Sequence, residues 1–187
     1  SVSVGPLAAS GMLDPIDYRV DGLVTNTPGL TLTIYYADCI PVLLYDPVGK
    51  AIAAVHSGWR GTSLGIAPKA VAKMTALYGT RPEDVLAAIG PGIGPCCFET
   101  HDDVPTALED RLGPAVRPFC HPLEQAAGKF TVDLKGIIAW ELRQAGLAEE
   151  HIDTLPLCTA CHPELYWSHR KMGDQRGNHA AMIALEG

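Results

Sequence analysis

No part of this 187-residue sequence gathers Lys or Arg into a run, and 14 basic residues face 21 acidic ones for a net charge of −7. That argues against nucleic acid or an anionic membrane as the main partner, while leaving room for a small anion held by a few placed arginines. Long apolar runs are also missing. The longest are strand-sized and broken by Asp38, Pro41 and Asp46, so none spans a membrane. No secretory leader, internal repeat, linker or low-complexity stretch is visible, and the sequence opens on Ser1-Val2-Ser3-Val4 without a Met. The glycine-rich Gly90-Pro91-Gly92-Ile93-Gly94-Pro95 lacks the Lys and Ser/Thr of a P-loop and the spacing of a dinucleotide fingerprint. It reads as a loop that either lets a ligand approach the backbone or makes a tight connection.

What is present is a globular composition, 47% hydrophobic and 19% charged, long enough for one large core. The expectation is a single domain over residues 1–187. Six cysteines stand at 39, 96, 97, 120, 158 and 161. A domain with this much core does not need disulfides, and adjacent Cys96 and Cys97 would bridge only with strain, so reduced thiols in a cytoplasmic protein are expected.

Two of the strongest strand signals carry chemistry at their ends. Residues 40–45 and 51–55 read as a hairpin joined by Asp46-Pro47-Val48-Gly49-Lys50. A hairpin brings its outer ends together, which places Cys39 beside His56. Thiolate and imidazole suit Zn2+. They also suit a nucleophile and its base, and spacing does not separate the two. A buried Cys and a hydrogen-bonded His at strand ends is the plain structural alternative.

The remaining pattern gives strands at 20–25, 30–36, 85–89, 130–132, 152–155 and 178–185. It gives a helix after the caps at Gly61-Thr62-Ser63, with Ile66, Ala70, Val71, Met74 and Leu77 inward and Gly79 as its stop. Further helices are expected over 101–112 and, capped by Asp133, over 134–145. Residues 1–6 read as a strand end, 7–18 as a loop and 158–177 as a polar, aromatic loop. Without steady βαβ alternation, the fold class is α+β, a layered domain of mixed, largely antiparallel sheet with flanking helices. Cys158-Thr159-Ala160-Cys161-His162 matches the haem-attachment pattern. Nothing else in the sequence points to haem or to a thioredoxin-like redox unit, and a structural or active-site loop is the better reading.

Taken together, Ala37-Asp38-Cys39-Ile40-Pro41-Val42-Leu43-Leu44, Ala54-Val55-His56-Ser57-Gly58-Trp59-Arg60-Gly61, Ile89 to Glu99, Cys158-Thr159, Trp167-Ser168-His169-Arg170 and Arg176 resemble the YfiH-type laccase-domain family. Members were first described as multicopper polyphenol oxidases and are now regarded as zinc-dependent purine nucleoside phosphorylases that also deaminate adenosine. The resemblance implies a YfiH/toxin-deamidase-like fold. It implies Zn2+ on Cys39 and His56, with a third His ligand expected upstream of residue 1. It also implies nucleoside and phosphate as small-molecule partners, the nucleosides being adenosine, inosine, guanosine and methylthioadenosine. The family more often has Tyr where His169 stands.

Phosphate needs a cation, and Arg60 follows His56 by one helical turn's spacing. Arg60 is the first candidate for phosphate, with Arg170 and Arg176 behind it. Asp38 is a candidate for orienting a ligand or taking a proton, and Cys158 for lining the site. Trp59 and Phe98 either stack on a purine or pack in the core. A monomer or weak dimer is expected. The alternatives from other classes are a metal-free Cys–His hydrolase or amidase, a copper polyphenol oxidase and a non-enzymatic binding domain.

Overall fold

A computed structural model describes residues 4–6 and 20–186. Its centre is a six-stranded sheet in the order β1-β2-β5-β4-β6-β10, formed by Val4–Pro6, Gly22–Thr25, Ala51–Ser57, Ile40–Asp46, Leu86–Ile89 and Ile152–Thr154. Only the outermost pairs, β1 with β2 and β6 with β10, are parallel. The strands inside are antiparallel. β3, Thr31–Tyr36, pairs instead with the last strand, β11, His179–Ala184. β7, Glu99–His101, joins β9, Lys129–Val132, and β8, Cys120–Pro122, in a third small sheet. The expected loop at 7–18 lies outside the described residues.

The central strands are buried on both faces, which their composition explains. β4 reads Ile-Pro-Val-Leu-Leu and β5 Ala-Ile-Ala-Ala-Val, with nearly every position inaccessible. One face, through Val42, Leu44, Ala53 and Val55, packs on α2, Ile66–Tyr78, and α4, Leu134–Gln144. The other face presents Ile52 and Ala54 to Leu32, Ile34, Ala181 and Ile183 of the β3/β11 ribbon. The result is three layers, ribbon, sheet and helices, with a core on each side of the sheet.

Local chemistry sets the boundaries. Gly79 takes a left-handed conformation and stops α2. The Asp133 carboxylate accepts from Gly136 N at 3.0 Å and starts α4. Four expectations are corrected. The helix expected after Gly61-Thr62-Ser63 is two helices: those residues belong to a short α1, Trp59–Ser63, and left-handed Gly65 separates it from α2. Leu77 is 44% exposed and not part of the inward stripe. His101 ends β7, and the following helix, α3, starts at Asp103 and runs to Leu112. Within the expected loop at 158–177, His169–Met172 form one turn of helix, α5.

One buried carboxyl stands out in α4. Glu141 is 4% exposed and its Oε2 has no partner among the described residues. Burial pushes its carboxyl up to about 8, and Lys69 offsets only part of this. The folded chain therefore holds a proton that the unfolded chain releases near its ordinary value. The contribution of Glu141 to stability is fully present below about pH 4.5 and is lost as pH rises toward about 8. Urea midpoints of the wild type should drop across that window. Glu141→Gln should flatten the profile and raise the midpoint most on the alkaline side.

Candidate active site

The hairpin of β4 and β5 has the register Ile40↔Ser57 and Pro41↔His56, so Cys39 and His56 end up at the same end of the two central strands. They share the wall of one hollow with Asp21, Gly58, Trp59, Arg60, Gly61 and Leu64. His56 Nδ1 lies 3.4 Å from Asp21 Oδ1. A carboxylate on one imidazole nitrogen orients the ring and directs the other nitrogen outward, the usual support of a metal-ligating His. These donors fit part of a zinc site. Cys39 and His56 make two, fewer than the three protein ligands of catalytic zinc. The third ligand expected upstream of residue 1 lies outside the described residues. Burial and the neighbouring Asp38 charge push the Cys39 thiol up, with Arg176 opposing.

α1 begins at once after β5. Thr62 bonds back to Gly58 O at 3.1 Å and to Ser57 Oγ at 3.0 Å, tightening the turn. This places Arg60 in the hollow of His56, with its guanidinium 4.4 Å from the Trp59 ring centre. Among the described residues, no carboxylate lies within ion-pair distance of Arg60.

A second hollow, of about 240 Å³, lies on the other side of Cys39, Gly58 and Trp59. Asp38, Phe98, His169, Arg170 and Arg176 line it. Arg176 donates from Nε to His169 Nδ1 at 3.3 Å and from Nη1 to Asn178 Oδ1. Arg170 spends Nη1 on two carbonyls, Cys97 O at 3.0 Å and Glu99 O at 2.9 Å. Trp59 and Phe98 line the hollow and also pack on the main core.

Asp38 sits in the turn between β3 and β4 with φ of 78°, a left-handed conformation that Asp tolerates better than most residues. It is 8% exposed. Its Oδ1 accepts from Thr159 Oγ1 at 2.6 Å, its Oδ2 from Arg170 N at 2.7 Å, and its carbonyl from Ile93 N at 2.8 Å. Three segments distant in sequence are thus tied to one residue. The glycine-rich loop closes the same knot. A Cβ on Gly92 would stand 2.4 Å from Ile40 Cδ1 and 2.9 Å from Asp38 O. Gly92 is needed for the loop to press on protein backbone, so at this point the loop is a tight connection.

Cys158 belongs to the wall of neither hollow. It lies with Cys96, Cys97 and Cys161, the four sulfurs all within 4.8 Å of one another, a group able to hold a metal ion. Burial raises the Cys158 thiol, but donors from Gly94, Cys161 and Ala160 outweigh it and bring the group down to about 7. Burial and the neighbouring thiols push Cys96 up to about 11 and Cys97 further still. This gathering was not read from the sequence. Its signal was there, an adjacent Cys pair and a later C-x-x-C, but the loops that join them are far apart in the chain.

A family model described as multi-copper polyphenol oxidoreductase laccase matches residues 5–186. The chain belongs to this family. Similar proteins include the mouse purine nucleoside phosphorylase LACC1, 37% identical over 94% of this chain and 40% of that protein. The purine nucleoside phosphorylase YlmD of Geobacillus stearothermophilus is 37% identical over 90% of this chain and 60% of its own length. Among solved structures, the hypothetical protein YfiH of Bacillus licheniformis superposes with a TM-score of 0.85 at 34% identity, covering 89% of this chain and 62% of that one. The laccase-domain chain described here thus spans about 40–60% of these curated relatives. Among the described residues, no helix is long and apolar enough to cross a membrane.

The knot at Asp38 is testable. Asp38→Ala leaves a buried hydroxyl and a backbone N–H without acceptors, so unfolding in urea should show a loss of about 2–4 kcal/mol. Asp38→Asn keeps one acceptor oxygen and should lose less.

Proposed function

We propose that this protein is a zinc-dependent purine nucleoside phosphorylase with adenosine deaminase activity, Cys39 and His56 being two of the metal's ligands. The observation that carries the reading is the juxtaposition of Cys39, an Asp21-oriented His56 and Arg60 in one hollow. The names of the relatives, purine nucleoside phosphorylases in mouse and Geobacillus, support it.

In phosphorolysis, a phosphate oxygen attacks the anomeric carbon of the ribose, the glycosidic bond breaks, and the purine leaves and gains a proton. Arg60 holds the phosphate with its two-donor fork and aims it, and its position over Trp59 limits the rotamers it samples. Cys39 and His56 would hold the zinc, which when bound would supply Lewis-acid polarisation. Trp59 and Phe98 offer apolar faces for the base. Arg176 and the free edge of Arg170 bind substrate from the second hollow. Asp38 holds Arg170 and the Thr159 loop in place, and Cys158 acts through that same loop. Adenosine, inosine, guanosine and methylthioadenosine are the substrates, each giving free base and ribose 1-phosphate.

The alternatives from other classes fit less well. A metal-free Cys–His hydrolase needs an easily ionised thiol, whereas burial and Asp38 push the Cys39 thiol up. A multicopper oxidase needs clustered histidines. Among the described residues, the one group of three or more metal-binding side chains within reach of one another is made of cysteines.

Zinc-loaded protein should release hypoxanthine from inosine only when phosphate is present. Arg60→Ala should raise the KM for phosphate about 10- to 100-fold, and His56→Ala should remove turnover together with the zinc held at Cys39. Release without phosphate, or activity that survives chelation, would overturn the proposal.

A further inference from the structure

We propose that Cys96, Cys97, Cys158 and Cys161 form a second metal site, a closed tetrathiolate that takes one Zn2+ and clamps the loop of Cys158 to the glycine-rich loop. The site shares no ligand with Cys39 and His56.

The geometry carries it. Cys161 Sγ is 3.4 Å from both Cys96 Sγ and Cys97 Sγ. All four sulfurs fall within 4.8 Å of one another. Zinc–sulfur bonds of about 2.3 Å in a tetrahedron put the sulfurs about 3.8 Å apart, which these separations match. A disulfide needs sulfurs at about 2.05 Å, and all six cysteines are free. The sulfurs are too close together to enclose a cube of four irons, so the space suits a single ion. Four thiolates leave no open position, which is the pattern of a structural site and not of a catalytic one.

The backbone is arranged around the sulfurs. Gly94 N donates to Cys158 Sγ at 3.2 Å, and Cys161 N to Cys158 O at 3.2 Å, a tight turn that faces both sulfurs of the C-x-x-C the same way. Gly92 forms a parallel bridge with Cys158, and Thr159 N donates to Gly92 O at 3.1 Å. A Cβ on Gly94 would lie 3.2 Å from Cys158 Cβ and 3.3 Å from Cys96 Sγ, so the absence of a side chain there lets the sulfurs meet. A dianionic zinc tetrathiolate needs positive charge nearby. Lys135, 5% exposed, donates to Leu155 O at 2.9 Å and Leu157 O at 2.7 Å; burial lowers its ammonium, and the charges of Cys158, Asp133 and Cys96 oppose that.

Binding exchanges four thiol protons for one Zn2+ with no change of oxidation state. The clamp bears on the candidate active site, because Thr159, adjacent to Cys158, donates to Asp38, and Arg170 Nη1 donates to Cys97 O. The zinc therefore fixes both loops against the residue that organises the second hollow.

The test uses the full chain carrying Cys39→Ala and His56→Ala, so that metal at the first site does not interfere. Reduced, metal-free protein is titrated with Co2+. The expected result is one Co2+ per chain, with the intense visible bands of a tetrahedral ion and near-ultraviolet thiolate charge transfer, displaced by Zn2+. Protein purified from zinc-supplemented cells should carry one Zn2+, and its removal should lower the melting temperature by more than about 5 °C. Cys161→Ser, at an exposed position, should weaken Zn2+ binding at least tenfold while circular dichroism stays native. The unmutated thiols keep the proposal falsifiable if that variant fails to fold. Absence of thiolate charge transfer when Co2+ is added to the reduced protein, copper or iron in place of zinc, or a mass lower by two hydrogens that marks a disulfide would each overturn it.

Discussion

The buried carboxylate of Asp38 is the interaction on which the site depends. It occupies a left-handed turn between two strands, out of water, and is satisfied by Thr159 and Arg170 from the far end of the chain. A carboxyl group in such a place is tolerated only while its oxygens are hydrogen-bonded. The loops that supply those bonds are therefore held to one position, and with them the walls of the second hollow. The neighbouring Cys39 inherits its place from the same turn.

Around this point the fold separates two tasks. The six-stranded sheet, buried on both faces, fixes the hairpin register and hence the meeting of Cys39 and His56. Little room for variation exists there, since a one-residue slip would turn every side chain of β4 to the opposite face. The loops at 90–98 and 158–177 do the other task. They contribute few core side chains and depend on backbone bonds, on Gly92 and, in our proposal, on four thiols for their order. The cysteine cluster and the Asp38 knot are two fastenings on the same pair of loops.

The strands and helices with clear periodicity were legible in the sequence. The β4/β5 hairpin, the cap at Asp133 and the stop at Gly79 depend on neighbours in the chain and stand where their residues say. The misplacements are equally local in cause. Gly65 interrupts what reads as one helix, and Leu77 lies just past the edge of the buried stripe. β7 and β8 are three residues each, too short to show any period, and exist only because β9 lies between them.

For the site, the sequence by itself determined the pairing of Cys39 with His56 and the nearness of Arg60, because a short hairpin and the turn after it act over a few residues. It also held the family resemblance, since those motifs are contiguous. Only the tertiary structure decided that Arg60 and the Arg170/Arg176 pair face different hollows, that Asp21 orients His56, and that four cysteines more than sixty positions apart in two pairs come together. Those outcomes depend on how loops fold back over the sheet. That folding is set by close backbone approach at Gly92 and by hydrogen bonds to one buried carboxylate, neither of which leaves a periodic trace in the chain.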